Sequence, residues 1–376
     1  MLFRSDTGTY ELLTGTAYGE LDPADPRNAI VQDIGLAPRN ARGMVEYSTQ
    51  IQILKPSDQT RGNRVLLFEV VNRGNKLAVN AFNAGVPGGP AERNGLTSPG
   101  DGFLFSEGHT LIWFGWEMDV PAGDKRLTMA PIVARDRDGK PVTGWVRSEL
   151  FTPEATRTLP IGASWQGQAV RPISYPVANP DDRDNTLTVR TKREDAPVPV
   201  PAGTWGFGKC GDDGNIVPDP TSVCIKTGFV PGRLYELIYR ARDPMVLGIG
   251  FAATRDLGAF FRDAKADSLG NANPVYRPNQ VNIVEGSSQS GRMIRSMLHL
   301  GFNQIDAAGR RAFDGAYPHI GGGLMPLNVR FGQPWRAWGE QVDHTYPAYD
   351  FPFSYAKQTD PLTGRTQGIL DRCAAS

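Results

Sequence analysis

Hydrophobic and polar positions follow two different rhythms along this chain. Residues 44 to 56, MVEYSTQIQILKP, alternate at period two, which predicts a strand with one buried face. Residues 64 to 72, RVLLFEVVN, and 109 to 117, HTLIWFGWE, are almost continuously apolar over a strand's length. That pattern suits strands buried on both faces of a parallel sheet. Between them lie a Gly/Pro-rich loop, NAGVPGGPAERNG, and a short amphipathic segment, GFLFSEG, so strand, crossover and strand predict a parallel pair. Upstream, AYGELDPADPRNAIVQDI carries two prolines and an Asp/Asn-rich bend and reads as edge strand and turns.

From about residue 120 to 230 helical periodicity fades. The alternating stretches TMAPIVARD, TGWVRSEL and NTLTVRTK, broken by PVPVPAG, predict a β-rich insertion. Apolar residues return to helical spacing in DPMVLGIGFAATRDLGAFFRDA, with Asp243 and Pro244 as a start signal. A strand, QVNIVE (280 to 285), comes next, then a helix, SGRMIRSMLHLGF, closed by Gly301, then a short strand with its loop, AFDGAYPHIGGG. The aromatic, loop-rich stretch from 330 to 365 reads as a cover over a site. Three segments follow from this reading: 1–119 and 233–376 as the two parts of a core, and 120–232 as the insertion.

Composition narrows the classes of function. A length of 376 residues fits one large domain with an insertion, or two domains. No apolar run approaches the roughly 18 residues that suggest a bilayer span. Forty basic residues balance forty acidic ones, so no net field draws the chain to nucleic acid or an anionic membrane, and a small-molecule partner is expected. The start, MLFRSDTGTY, has no readable secretory signal. Among three cysteines, Cys210 and Cys224 flank a loop, CGDDGNIVPDPTSVC, with little else to hold it together, and are expected to form a disulfide. Closing a loop of about 15 residues stabilises by roughly 3 kcal/mol and favours an oxidising compartment, periplasmic or secreted. Cys373 has no evident partner and no surroundings that would activate a thiol.

The chemistry concentrates in VNIVEGSSQSGRMIRSMLHLGFN, residues 281 to 303. A strand that stops at Gly286-Ser287-Ser288-Gln289-Ser290 and becomes a helix at once matches the small-x-Ser-x-small pattern of a nucleophile elbow. Residues two positions either side of the nucleophile must be small because strand and helix nearly touch there. Centring on Ser288 puts Gly286 and Ser290 at those places, whereas Ser290 would put Arg292 there and Ser287 would put Glu285 and Gln289 there. Ser288 is the nucleophile by elimination. The helix that follows aims N–H groups and its positive end at the same spot, so the backbone N–H of Gln289 is a candidate oxyanion donor. A second is expected from Arg73 or Gly74, in the loop after LLFEVV.

Acid and base are harder to place. Where an elbow of this kind carries a catalytic serine, the chain order is Ser, then Asp or Glu, then His. After Ser288 come His299, expected to be a packed or exposed helix residue, His319 in AYPHIGGG and His344 in VDHTYPAYD. His319 and His344 are candidates for base or pocket residue, and Asp314 for the acid; His109 reads as structural. The carboxylates of DDRD (181 to 184) and GDDGN lack the spacing of a calcium loop, and no dinucleotide or phosphate fingerprint appears, so neither metal nor cofactor is expected.

Taken together, EVVNRGNK, GDGFLFSEGHTLIWFGWEMDV, GRLYELIYRARDPMVLGIGFAATRDL, GSSQSGRMIRSMLHLGFNQ, FDGAYPHIGGG and DPLTGRTQGILDRC make the chain similar to bacterial α/β hydrolase domain-containing proteins, of the serine ester hydrolase superfamily. The similarity runs through nearly the whole chain. It implies an α/β-hydrolase fold, with a mostly parallel sheet and a β-rich insertion, and it implies carboxylic ester hydrolysis with Ser288 as nucleophile. Members of that family continue past the ILDRC segment, through further strands, to a Gly-Thr-Gln-His-like stretch that supplies the base. Nothing like it precedes Ser376, so an incomplete chain with its closing strands beyond residue 376 is expected. The alternative is a catalytically silent scaffold of the same fold that binds a small ligand or a partner; a sugar-binding β-sandwich over 120 to 230 ranks behind both.

Overall fold

The computed structural model describes residues 7–85, 88–161, 175–192, 194–306, 309–325, 327–334 and 351–373. Its largest sheet is built from β1 (Tyr10–Leu21), β2 (Val45–Pro56), β3 (Val65–Val70) and β4 (Thr110–Phe114), joined later in the chain by two more strands. Between β4 and those strands come β5 (Thr143–Leu150), β6 (Thr156–Pro160), β7 (Thr186–Arg190), β8 (Val198–Pro199), β9 (Trp205–Phe207), β10 (Lys209–Cys210), β11 (Ile216–Val217), β12 (Ser222–Phe229) and β13 (Leu234–Arg242). The strands that complete the large sheet are β14 (Val281–Ser287) and β15 (Gly315–His319); β16 (Gln358–Thr359) and β17 (Thr366–Gln367) form a small ribbon after it.

The six strands lie in the order β1-β2-β4-β3-β14-β15. β2 pairs antiparallel with both β1 and β4, while β4, β3, β14 and β15 run parallel. The two apolar runs thus form the parallel pair their pattern predicts, and both are buried, with Leu66, Phe68, Val70, Leu111, Ile112, Trp113 and Phe114 shielded from solvent. Helix α4 (Ile249–Asp263) packs Phe251, Ala252 and Leu257 into the same core. It begins at Ile249, later than the Asp243-Pro244 signal, because Pro244 and Val246 first bond in a bridge to the segment at 132–134.

The expected mostly parallel α/β-hydrolase architecture is corrected by this structure. Strand outweighs helix by 32% to 14%, so the chain is mostly β. The described residues hold five α-helices, of which α1 (Ala78–Phe82), α2 (Pro90–Asn94) and α3 (Phe103–Ser106) are a turn or so long. The other sheets are small and antiparallel: β5-β13-β7-β8, β6-β12-β9, β10-β11 and β16-β17. The cause is local chemistry. Doubly covered parallel sheets need crossover helices long enough to hide both faces. Here the β3–β4 connection is rich in Gly and Pro and forms only short helices, and much of the long β4–β14 connection goes into antiparallel hairpins. β13 shares a sheet with β5 and β7, so the antiparallel region extends past residue 232.

Candidate active site

Strand β14 ends at Ser287 and helix α5 (Gln289–His299) starts two residues later, leaving Ser288 as the single residue of the turn. Its backbone sits at φ 61°, ψ −113°, a region that costs a non-glycine residue on the order of 1–3 kcal/mol. The turn is held by the Ser288 N–H, which donates to the His319 carbonyl at 2.9 Å, and the Ser288 side chain stays partly exposed. Crowding explains the small neighbours. A Cβ on Gly286 would lie 2.8 Å from Ser290 Cβ and 3.0 Å from Ile294 Cδ1, and Ser290 itself is completely buried.

Gln289 occupies the first position of α5, where a backbone N–H has no acceptor within the helix. The turn Asn72–Asn75 stands beside it: Asn72 and Asn75 exchange backbone hydrogen bonds of 2.9 Å, and Asn72 Nδ2 donates to the Ser287 carbonyl at 2.8 Å. Arg73 and Gly74, at φ 49° and 78°, form the tip of that turn. The two segments expected to supply oxyanion donors are therefore tied together.

Behind the turn lies a buried polar cluster that sequence reasoning missed. Gln289 Nε2 donates to Glu117 Oε1 at 2.6 Å and to the Pro334 carbonyl at 3.0 Å, fixing the side chain at the head of α5. Glu117 and Asp119 are both buried. Burial, then the charge of Asp119, pushes the Glu117 carboxyl well above its ordinary range, while the Arg73 guanidinium opposes that rise. Glu117 Oε2 has no hydrogen-bond partner among the described residues.

A second group of carboxyls crosses the sheet. Register places Gln52, Trp113, Glu69, Glu285 and Tyr317 side by side on five neighbouring strands. Glu69 accepts from the N–H groups of Leu77 and Ala78 and from Trp113 Nε1, and the Lys76 ammonium lies 5.5 Å from the Trp113 ring centre. Burial raises both Glu69 and Glu285, and the charge of Glu69 raises Glu285 further. With three donors and a nearby cation, Glu69 is the better carboxylate, and Glu285 holds the proton. Burial also pushes Lys76 down to about 8, against the pull of Glu69.

The other sequence candidates scatter. Ser287 Oγ lies 3.1 Å from His319 Nδ1 and 3.3 Å from Glu285 Oε1, so Ser287 engages the Nδ1 edge of the imidazole. Asp314 stands at the opposite end of β15, accepting from Asn282 N and Arg262 Nη1. The structure does not bring it to Ser288. His344 lies outside the described residues. His299 ends α5, and His109 meets Asn63 Nδ2 at 3.2 Å, far back from the turn at the start of β4. Cys210 and Cys224 are disulfide-bonded, Cys373 is a buried thiol raised by burial, and the aspartates of DDRD and GDDGN cap local turns. Among the described residues no helix is long and apolar enough to span a membrane, and no three His, Cys, Asp or Glu side chains gather as a metal site. One signal for the missed acids was present: Glu69, Glu117 and Glu285 each interrupt an apolar run in a strand or just after one. No protein-family model, curated protein or solved structure matches the chain.

Proposed function

We propose that the protein is a carboxylic ester hydrolase in which Ser288 is the nucleophile. The observation that carries this reading is the strained backbone of Ser288 at a strand-to-helix junction, φ 61° and ψ −113°, with the head of α5 directly after it. Strain of this kind persists only where surrounding packing enforces it, and such positions gather at reactive sites. In the reaction, the Ser288 Oγ–C bond forms as a general base takes the hydroxyl proton and the carbonyl π pair moves onto oxygen. The backbone N–H of Gln289, with that of Arg73 or Gly74, stabilises the oxyanion. The C–O bond to the leaving alcohol then breaks as the base returns its proton, and water repeats the sequence on the acyl-enzyme.

A fluorophosphonate probe tests this directly. Wild-type protein should be labelled at Ser288 and should hydrolyse p-nitrophenyl butyrate; Ser288→Ala should lose the label and on the order of a thousandfold or more of turnover. Equal labelling of the two proteins would remove Ser288 from the chemistry. A second reading, a catalytically silent ligand-binding site, draws on one observation: the Ser288 hydroxyl makes no capping hydrogen bond to the head of α5. It predicts a folded wild-type protein that takes no label.

A further inference from the structure

The base required by that mechanism has a candidate within the described residues. His319 ends β15 next to Ser287 in register, and its carbonyl accepts the Ser288 N–H at 2.9 Å, so its ring belongs to the immediate surroundings of the turn. The ring is exposed and stacks on Tyr317, with 5.8 Å between centres. Its Nδ1 is the nitrogen engaged by Ser287.

We propose that His319 is the general base for Ser288, and that Ser287 and Glu285 hold its imidazole as the Nδ1–H tautomer with Nε2 free to accept a proton. The assignment requires Ser288 to be the nucleophile. Ser287 has one hydroxyl proton to give, to Glu285 Oε1 or to His319 Nδ1. Giving it to Glu285 Oε1, at 3.3 Å, leaves Ser287 Oγ to accept from His319 Nδ1–H, at 3.1 Å. That direction of the chain leaves the Nε2 lone pair exposed for chemistry. The opposite direction would place the proton on Nε2 and disable the base.

What fixes the direction is the row of groups beneath. Glu285 is buried, faces Glu69 on β3 and Tyr317 on β15, and has Oε2 without a partner among the described residues. Glu69 takes three N–H donors, with Lys76 nearby, so of the two carboxyls it is the better anion. A single proton on Glu285 belongs on Oε2, the oxygen Ser287 leaves unused. Glu285 Oε1 is then a neutral acceptor for the Ser287 hydroxyl. Ser287 and Glu285 act as positioning residues, and only His319 touches the reacting proton.

Steady-state hydrolysis of p-nitrophenyl butyrate by the full chain separates these roles. His319→Ala should lower kcat at least a hundredfold with KM within threefold of wild type. Ser287→Ala should lower kcat about tenfold at unchanged KM, and Ser287→Thr, which keeps the hydroxyl, should restore it to within threefold. Nitrogen-15 NMR of the wild-type imidazole should show Nδ1 protonated and Nε2 bare at neutral pH. This measurement needs no variant and no turnover. An Nε2–H tautomer overturns the proposal, as does His319→Ala with near-normal kcat while Ser288→Ala abolishes labelling; in that last case Ser288 keeps its role and only the base is wrong. Labelling that survives Ser288→Ala but is lost in Ser287→Ala would overturn both assignments, and so would a folded wild-type protein without label or turnover.

Discussion

The insertion and the sheet beneath Ser288 treat their carboxylates in opposite ways. In the insertion, Arg147 pairs with Glu149 and Glu236, Arg190 also reaches Glu236, and Lys209 lies 3.4 Å from Asp219. Its distal loop is stapled by Cys210–Cys224. Polar groups there hold the region together. Around the turn, by contrast, Glu117 and Glu285 are buried with an oxygen each left without a partner among the described residues. Burying a carboxyl costs free energy even when it is neutralised by a proton. Such groups beside a strained serine support the proposed hydrolase reading.

One break in this contrast would come from the disulfide. Replacing Cys210 and Cys224 by Ala should cost about 3 kcal/mol in unfolding the insertion, because loop closure no longer limits the unfolded chain. Fluorophosphonate labelling at Ser288 should stay within twofold of wild type at 25 °C. If labelling fell in step with urea stability, the insertion would be part of the site and not merely attached to it.

Gly286→Ala sharpens the contrast from the other side. The new Cβ would sit 2.9 Å from the backbone carbonyl carbon of Ser290 as well as against its Cβ, so strand and helix must separate. Overpacking of this kind costs about 2 kcal/mol, measured as a shift in the urea midpoint. Because the displaced atoms carry the Ser288 turn, labelling should fall by more than the stability loss explains. Unchanged labelling would mean that the close contact serves packing alone.

A further test is in pH. Burial, then the charge of Glu69, raises Glu285 from its ordinary 4.5 to about 9, so the folded protein keeps a proton that the unfolded chain releases. That stabilisation is fully present below about pH 4.5 and is lost as pH rises toward 9, at up to about 1.4 kcal/mol per pH unit for each proton involved. Urea midpoints at pH 5, 7 and 9 should decline for wild type and decline less for Glu285→Gln, which cannot ionise. Parallel declines in the two proteins would assign the proton to a different group.

Much of the local structure was legible in the sequence. Period-two alternation located β2, the unbroken apolar runs located β3 and β4, and the Ser-rich junction located the turn at Ser288. Crowding there is a local property, which is why the small residues at 286 and 290 marked it in advance. The overall class was not legible. The β-rich stretch was read as an insertion into a mostly parallel α/β-hydrolase sheet, but the several antiparallel sheets leave the chain mostly β. Asp314 was misplaced for a related reason: position in the chain says which strand carries a residue, but not that five residues of β15 separate it from the turn.

By itself the sequence determined the main strands, the two longer helices and the turn at Ser288, since side-chain period and chain crowding act over a few consecutive residues. Only the tertiary structure decided that Glu69 faces Glu285, that Gln289 reaches Glu117, and that His319 meets Ser287. Those pairings depend on strand register and shared burial, which bring together residues as far apart as 216 positions, and no local pattern encodes which two interrupted apolar runs will lie side by side.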